Sequence, residues 1–335
     1  MNDSTMFNPR IILKYLFLIL LAAEASPLPA AETTEWTSKT IIEGLAATKQ
    51  PMASKATVLG VVSAGERLVA VGDHGVILLS EPGDEAFRQA QHVPTRTTLT
   101  AVHFVDDKRG WAVGHQGVVL TTGDGGENWS LLRSGITEEP LFTVWFENPQ
   151  RGFVGGRFAT LLETTDGGNT WAKRNITRED DEVERNLFHI FSGADGRIYI
   201  AAEKGTVYVT ENNGAQWEPV ETGYGGSFWA GIVLSDGTVI VVGMRGSIYR
   251  STDQGTTWGR VELDLKASLT DVIQLQSSNV LAVGMDGAIV ESADGGKSFT
   301  LKEHPERLSF TAVVERTKGN YQLFGKSGVV GWKYR

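Results

Sequence analysis

Two histidines, His74 and His115, fall in equivalent Gly-flanked turns of successive repeats and are the first candidates for chemistry. A zinc centre needs three or four converging donors, and Asp73 is the one obvious third ligand, so the pair predicts no metal site. A second set of residues is more regular. The pattern Ser/Thr-x-Asp-x-Gly-x-x-aromatic recurs at Asp124 with Trp129, Asp166 with Trp171, Asp253 with Trp258 and Asp294 with Phe299. Asn212 with Trp217 keeps the pattern with asparagine. Carboxylates repeated in this way could serve glycoside hydrolysis, which works with a carboxylate pair. The spacing also has a structural reading. Aspartate accepts hydrogen bonds from the amides of its own turn, glycine takes the positive-φ position, and the aromatic ring packs between neighbouring sheets. On that reading these residues are structural and none is catalytic.

The elements that position them repeat too. Ahead of each aspartate pattern runs an apolar strand, then Gly-x-x-Gly, then a second apolar strand. The copies are Val71–Val76, Val113–Val118, Val242–Ser247, Val283–Ala288 and Phe324–Val329, with degenerate forms at Val154–Ala159 and Ala201–Thr206. With Phe158 aligned to the second glycine, that position falls at 75, 117, 158, 205, 246, 287 and 328, in steps of 42, 41, 47, 41, 41 and 41. Each period holds four short strands; in the second repeat they are Leu99–Val105, Gly110–Val113, Val118–Thr121 and Trp129–Arg133. A four-stranded unit of this length is a propeller blade. The sequence therefore predicts an all-β, seven-bladed β-propeller of four-stranded blades over about 56–94, 97–136, 139–176, 185–222, 226–264, 267–305 and 307–335. The last repeat stops before a fourth strand. Trp36–Ile42 is similar to the strands that follow Trp129 and Trp171, so residues 35–42 are expected to complete the last blade and close the ring.

Composition narrows the function. The 335 residues contain no cysteine, which excludes disulfides, thiolate metal sites and a cysteine nucleophile. Charges within residues 1–31 cancel, so the net −9 sits on the rest of the chain and argues against generic nucleic-acid binding. Arg10 and Lys14, the apolar run Tyr15–Ala23 and small-x-small sites ending at Ala25 or Ala30 read as a secretory signal over 1–30. Nine apolar residues fall short of the roughly 20 needed to span a bilayer.

A propeller gathers its second-to-third-strand turns and its inter-blade loops at one end of the axis. Here the turns present His74, His115, Arg157, Phe158, Lys204, Arg245, Asp286 and Lys326, the expected partner-binding rim. Arg96, Arg178, Arg185 and Arg307 lie farther out, and the six-residue insertion at Arg178–Arg185 is a charged loop on the same rim. Four of the seven turns carry a permanent positive charge in an acidic chain, a distribution that would steer an acidic protein segment.

Two stretches, Leu99–Gly114 and Arg151–Trp171, resemble the photosystem II stability and assembly factor family within the Asp-box, or bacterial neuraminidase repeat, propellers. With the repeats in register the similarity extends over about 35–335. The resemblance implies a non-enzymatic propeller without cofactors that binds membrane-protein assembly intermediates after export, in the periplasm or a thylakoid lumen. Photosynthetic members carry an arginine-rich cluster near the fifth blade; here Gly223–Arg250 holds only Arg245 and Arg250. The alternative is a sialidase-like glycan-binding protein or glycosidase. It lacks the expected Arg-Ile-Pro signature, and only Tyr224 sits in an inter-blade loop where a tyrosine nucleophile would be needed.

Overall fold

The computed structural model describes residues 45–81, 83, 86–133, 137–176 and 185–333. Contacts divide the chain into Met1–Glu35 and Trp36–Arg335, and every described residue falls in the second unit.

The strands follow the repeats. In the second blade Leu99–Phe104, Gly110–Gly114, Val119–Thr122 and Ser130–Arg133 pair antiparallel in chain order, within one residue of the sequence reading. Seven such sheets begin with inner strands Val58–Ala64, Leu99–Phe104, Leu141–Phe146, Leu187–Ser192, Phe228–Val233, Leu269–Gln274 and Phe310–Thr317. Each inner strand packs on the inner strands of both neighbours, and the first meets the last, so the sheets form a closed seven-bladed propeller. Six sheets have four strands, and the last has three among the described residues. The strand expected at 35–42 lies outside the described residues, as do the signal segment and residues 178–184 of the charged insertion.

Burial explains the residue choice. The second strand of every blade is sandwiched between neighbouring sheets, and in five of the seven it reads as an unbroken apolar or glycine run such as Gly-Trp-Ala-Val-Gly, buried throughout. The core lies between blades. Val71 and Leu79 of the first meet Leu120 and Trp129 of the second, and Ile240 and Val242 of the fifth meet Val290 and Phe299 of the sixth. A ring as buried as Trp129 contributes about 2–3 kcal/mol.

Close backbone approach accounts for Gly-x-x-Gly. A Cβ on Gly72 would stand 1.9 Å from the Thr57 carbonyl oxygen, and one on Gly75, at φ 68°, would stand 2.0 Å from that of Thr95. The third repeat needs a correction. Gly156, not Gly155, pairs with Leu141 as Gly114 pairs with Leu99. Phe158 (φ 53°) therefore matches His74 (φ 57°), and Ala159 (φ 51°) takes the second-glycine place assigned above to Phe158. The double glycine Gly155-Gly156 allowed both registers, and the inner-strand bulge selects one.

Candidate binding face and central channel

All eight predicted rim residues are exposed and lie on turns at one end of the ring. His74, Phe158, Lys204, Arg245 and Asp286 hold left-handed backbone angles of φ 53–57° at the second turn position, which thrusts their side chains outward. His115 takes the first position of its turn, and Gln116 the second, so the two histidines are not at matching places. Among the described residues no group of three or more His, Cys, Asp or Glu could hold a metal ion. The Arg157 guanidinium stacks 4.2 Å from the Phe158 ring centre and stands 3.9 Å from Glu139. Farther out, Arg96 donates to the Ala46 carbonyl at 2.9 Å and Arg185 pairs with Glu221 at 3.2 Å, while the Arg307 backbone packs against Gly287. Arg178 lies outside the described residues.

The same end carries every large apolar side chain exposed among the described residues. Phe158 (42% exposed) and Met285 (41%) sit on second-to-third turns, and Leu45 (46%) and Met52 (73%) on the stretch leading into the first blade. That stretch crosses the last-to-first seam: Ala47 N–H donates to Val93 O at 2.9 Å, and the turn Ala53–Lys55 packs on Gly328–Lys333. Sequence reasoning missed Leu45, Met52 and Met285 because isolated apolar residues carry no periodic signal.

The aspartate turns lie at the opposite end, where third strands meet fourth strands. Thr122 Oγ1 donates to Asp124 Oδ1 (2.8 Å) and accepts Gly126 N–H, while Asp124 Oδ1 accepts Asn128 N–H (3.0 Å). Asp166, Asn212, Asp253 and Asp294 repeat this geometry. The indole N–H groups of Trp129, Trp171 and Trp258 donate back to the turn at Gly126, Gly168 and Gly255; that of Trp217 has no partner among the described residues. Phe299 fills the same place without a donor, 8% exposed. Hydrogen bonds from Thr170 and Thr257 hold the Asp166 and Asp253 carboxyls down to about 2. Such groups have no proton to lend near neutrality.

Each turn also receives the blade before it. Arg67 donates to Gly125 O (3.3 Å), Trp111 to Gly167 O (3.0 Å), Tyr199 to Gln254 O (3.2 Å) and Arg250 to Gly295 O (2.9 Å), and Arg151 donates to Asn213 O. The five acceptors occupy one turn position, all with positive φ. The turns are clasps between blades.

The inner strands line a channel that opens at the rim as a cavity of about 250 Å3. Every inner strand bulges at its second residue. Three of those residues are threonines that bridge seams: Thr100 to Leu141 O, Thr270 to Phe310 O and Thr311 to Val58 O. Three others are Phe142, Phe188 and Trp229 on consecutive blades. Polar side chains one residue on receive amides of the next blade: Thr143 from Ile190, His189 Nδ1 from Gly231 (3.1 Å) and Asp271 Oδ2 from Val313 (2.9 Å). His103 Nε2 bonds Phe146 O at 3.0 Å. Burial lowers both His103 and His189 to about 4 and raises Asp271 to about 6. These channel residues were not singled out from sequence, although their shared offset within each inner strand was available as a signal.

Seven sheets around a central channel, the first six joined head to tail by five clasps, define a β-propeller with its Gly-flanked turns at one end and its aspartate turns at the other. The chain belongs to the family described as photosynthesis system II assembly factor YCF48, whose model matches residues 82–255. Among solved structures, YCF48 bound to D1 peptide is 18% identical with a TM-score of 0.69, covering 87% of this chain and 96% of that one. YCF48 from Cyanidioschyzon merolae is 16% identical with a TM-score of 0.67, covering 84% and 97%. A streptogramin B lyase, 10% identical with a TM-score of 0.71, covers 84% and 94%. At these identities the likeness is one of fold. No curated protein matches the sequence.

Proposed function

We propose that the chain is an exported, non-enzymatic scaffold that holds an acidic protein segment against its Gly-flanked-turn face during assembly or function of a membrane-protein complex. One observation carries this reading: the four exposed large apolar side chains, Leu45, Met52, Phe158 and Met285, all lie on that face, where Arg157, Lys204, Arg245 and Lys326 add positive charge to a chain of net −9. A face that carries separate apolar side chains among cations suits a segment with acidic and apolar side chains. The YCF48 structure bound to D1 peptide supports a peptide as the kind of partner. Export to a periplasm or lumen rests on the N-terminal pattern, and among the described residues no helix is long and apolar enough to cross a membrane.

The glycosidase alternative is not favoured. Tyr224 donates its hydroxyl to Met244 O at 2.7 Å and packs on Phe228 and Tyr249, so it serves the fold and is not poised as a nucleophile. The test is affinity capture from solubilised host membranes with the mature chain and with R157E/K204E/R245E. The variant should lose most of the captured partner at an unchanged thermal midpoint. Equal capture would overturn the assignment of this face.

A further inference from the structure

We propose that the mouth of the central channel is a binding site for a small organic cation, an alkylammonium group held between Phe142, Phe188 and Trp229 and the Asp271 carboxylate. All four side chains line the same cavity of about 250 Å3, room for a short amine and not for a folded ligand.

The aromatic arc is a departure from what the seams require. Where the bulge position holds threonine, its hydroxyl bridges to the next blade. Phe142, Phe188 and Trp229 give up that bridge and place ring surface at the channel instead, with Phe142 and Phe188 stacked 5.7 Å apart. A desolvated cation over such faces gains electrostatic attraction from the ring quadrupoles.

Asp271 supplies the opposite pole. Its two oxygens accept the Val272 and Val313 amides, each at 2.9 Å, and among the described residues no Lys or Arg pairs with it. The other ionisable side chains lining the channel do not balance it. His103 and His189 are kept neutral by burial, and Glu315, lower in the channel, accepts the Gln276 and Gly319 amides. A carboxylate lining a cavity without a counter-charge is costly, and a ligand ammonium would provide that charge. The cation could be a free amine or a lysine side chain of a docked segment; the second source rests on the function proposed above.

The experiment is a calorimetric titration of the full chain with n-butylammonium, and with n-butanol as its uncharged counterpart, at about pH 8, where Asp271 is ionised. Saturable amine binding is expected, with butanol weaker by about tenfold or more and D271N, which keeps an oxygen for the Val313 amide, weaker by at least about the same factor. W229L, outside the carboxylate, should also weaken the amine and keeps the test open if D271N does not fold. Absence of saturation, or equal binding of butanol, or an unchanged affinity in D271N or W229L, would overturn the site. A lysine-containing peptide that binds more tightly than the amine, and loses that gain when norleucine replaces lysine, assigns the cation to a partner; binding of the amine alone assigns a free ligand. R157E/K204E/R245E should leave amine binding intact, so failure of the rim and failure of the channel site are separable.

Discussion

The hydroxyl of Thr311 donates to the carbonyl of Val58 at 2.7 Å, joining residues 253 positions apart. The bond from Thr100 to Leu141 has the same geometry between blades that are consecutive in the chain. T311V and T100V should therefore each cost about 1 kcal/mol, a drop of about 2 °C in thermal midpoint. Calorimetry on both variants checks this, and a far larger loss at 311 would show that the closing seam differs from the others.

The clasp from Trp111 to Gly167 separates hydrogen bonding from packing. The indole N–H reaches the next blade's turn while the ring stacks on Phe146 at 3.6 Å. W111F keeps most of the stack and loses the donor, so it should cost about 1 kcal/mol, against about 3–5 kcal/mol for W111A. Urea unfolding of the two variants measures the ratio.

Gly75 and Ala159 occupy equivalent turn positions with opposite expected tolerance. A methyl on Gly75 would meet the Thr95 carbonyl oxygen at 2.0 Å, whereas Ala159 carries its methyl buried at 6% exposure. G75A should destabilise by about 2–4 kcal/mol, and A159G by no more than about 1 kcal/mol. A neutral G75A would mean that the inter-blade loop yields easily.

Stability should fall on mild acidification. The unfolded chain protonates His103 and His189 near their ordinary 6.5, while the folded chain resists until about 4, so each histidine withdraws stability as pH drops through that window. Asp271 acts the other way: the folded state takes its proton near 6 and the unfolded state only near 3.8, so stability is gained over that interval. Two histidines oppose one aspartate. H103N/H189N should flatten the decline in urea midpoint between about pH 7 and 4.5, and D271N should steepen it.

The blade count and strand order were legible because the glycine pairs and aspartate turns are backbone requirements that recur with the period. Where one requirement could be met twice, at Gly155-Gly156, the register slipped by one residue. The clasps were not legible: Arg67, Trp111, Arg151, Tyr199 and Arg250 fulfil one role with three side-chain types, since all that geometry demands is a donor of sufficient reach. Asp271 and His189 were hidden for a related reason. Threonine, histidine and aspartate can each receive the neighbouring amide, so no single residue marks that position.

In all five clasps the donor belongs to the earlier blade and the acceptor to the later one. Five of the seven seams are thus handed, like rotor teeth that engage in one sense. A contact of this head-to-tail kind is defined by a rotation, and the ring closes only because that rotation completes a full turn after seven sheets. Reversal of a single blade is therefore excluded, since it would set donor against donor on one side and acceptor against acceptor on the other.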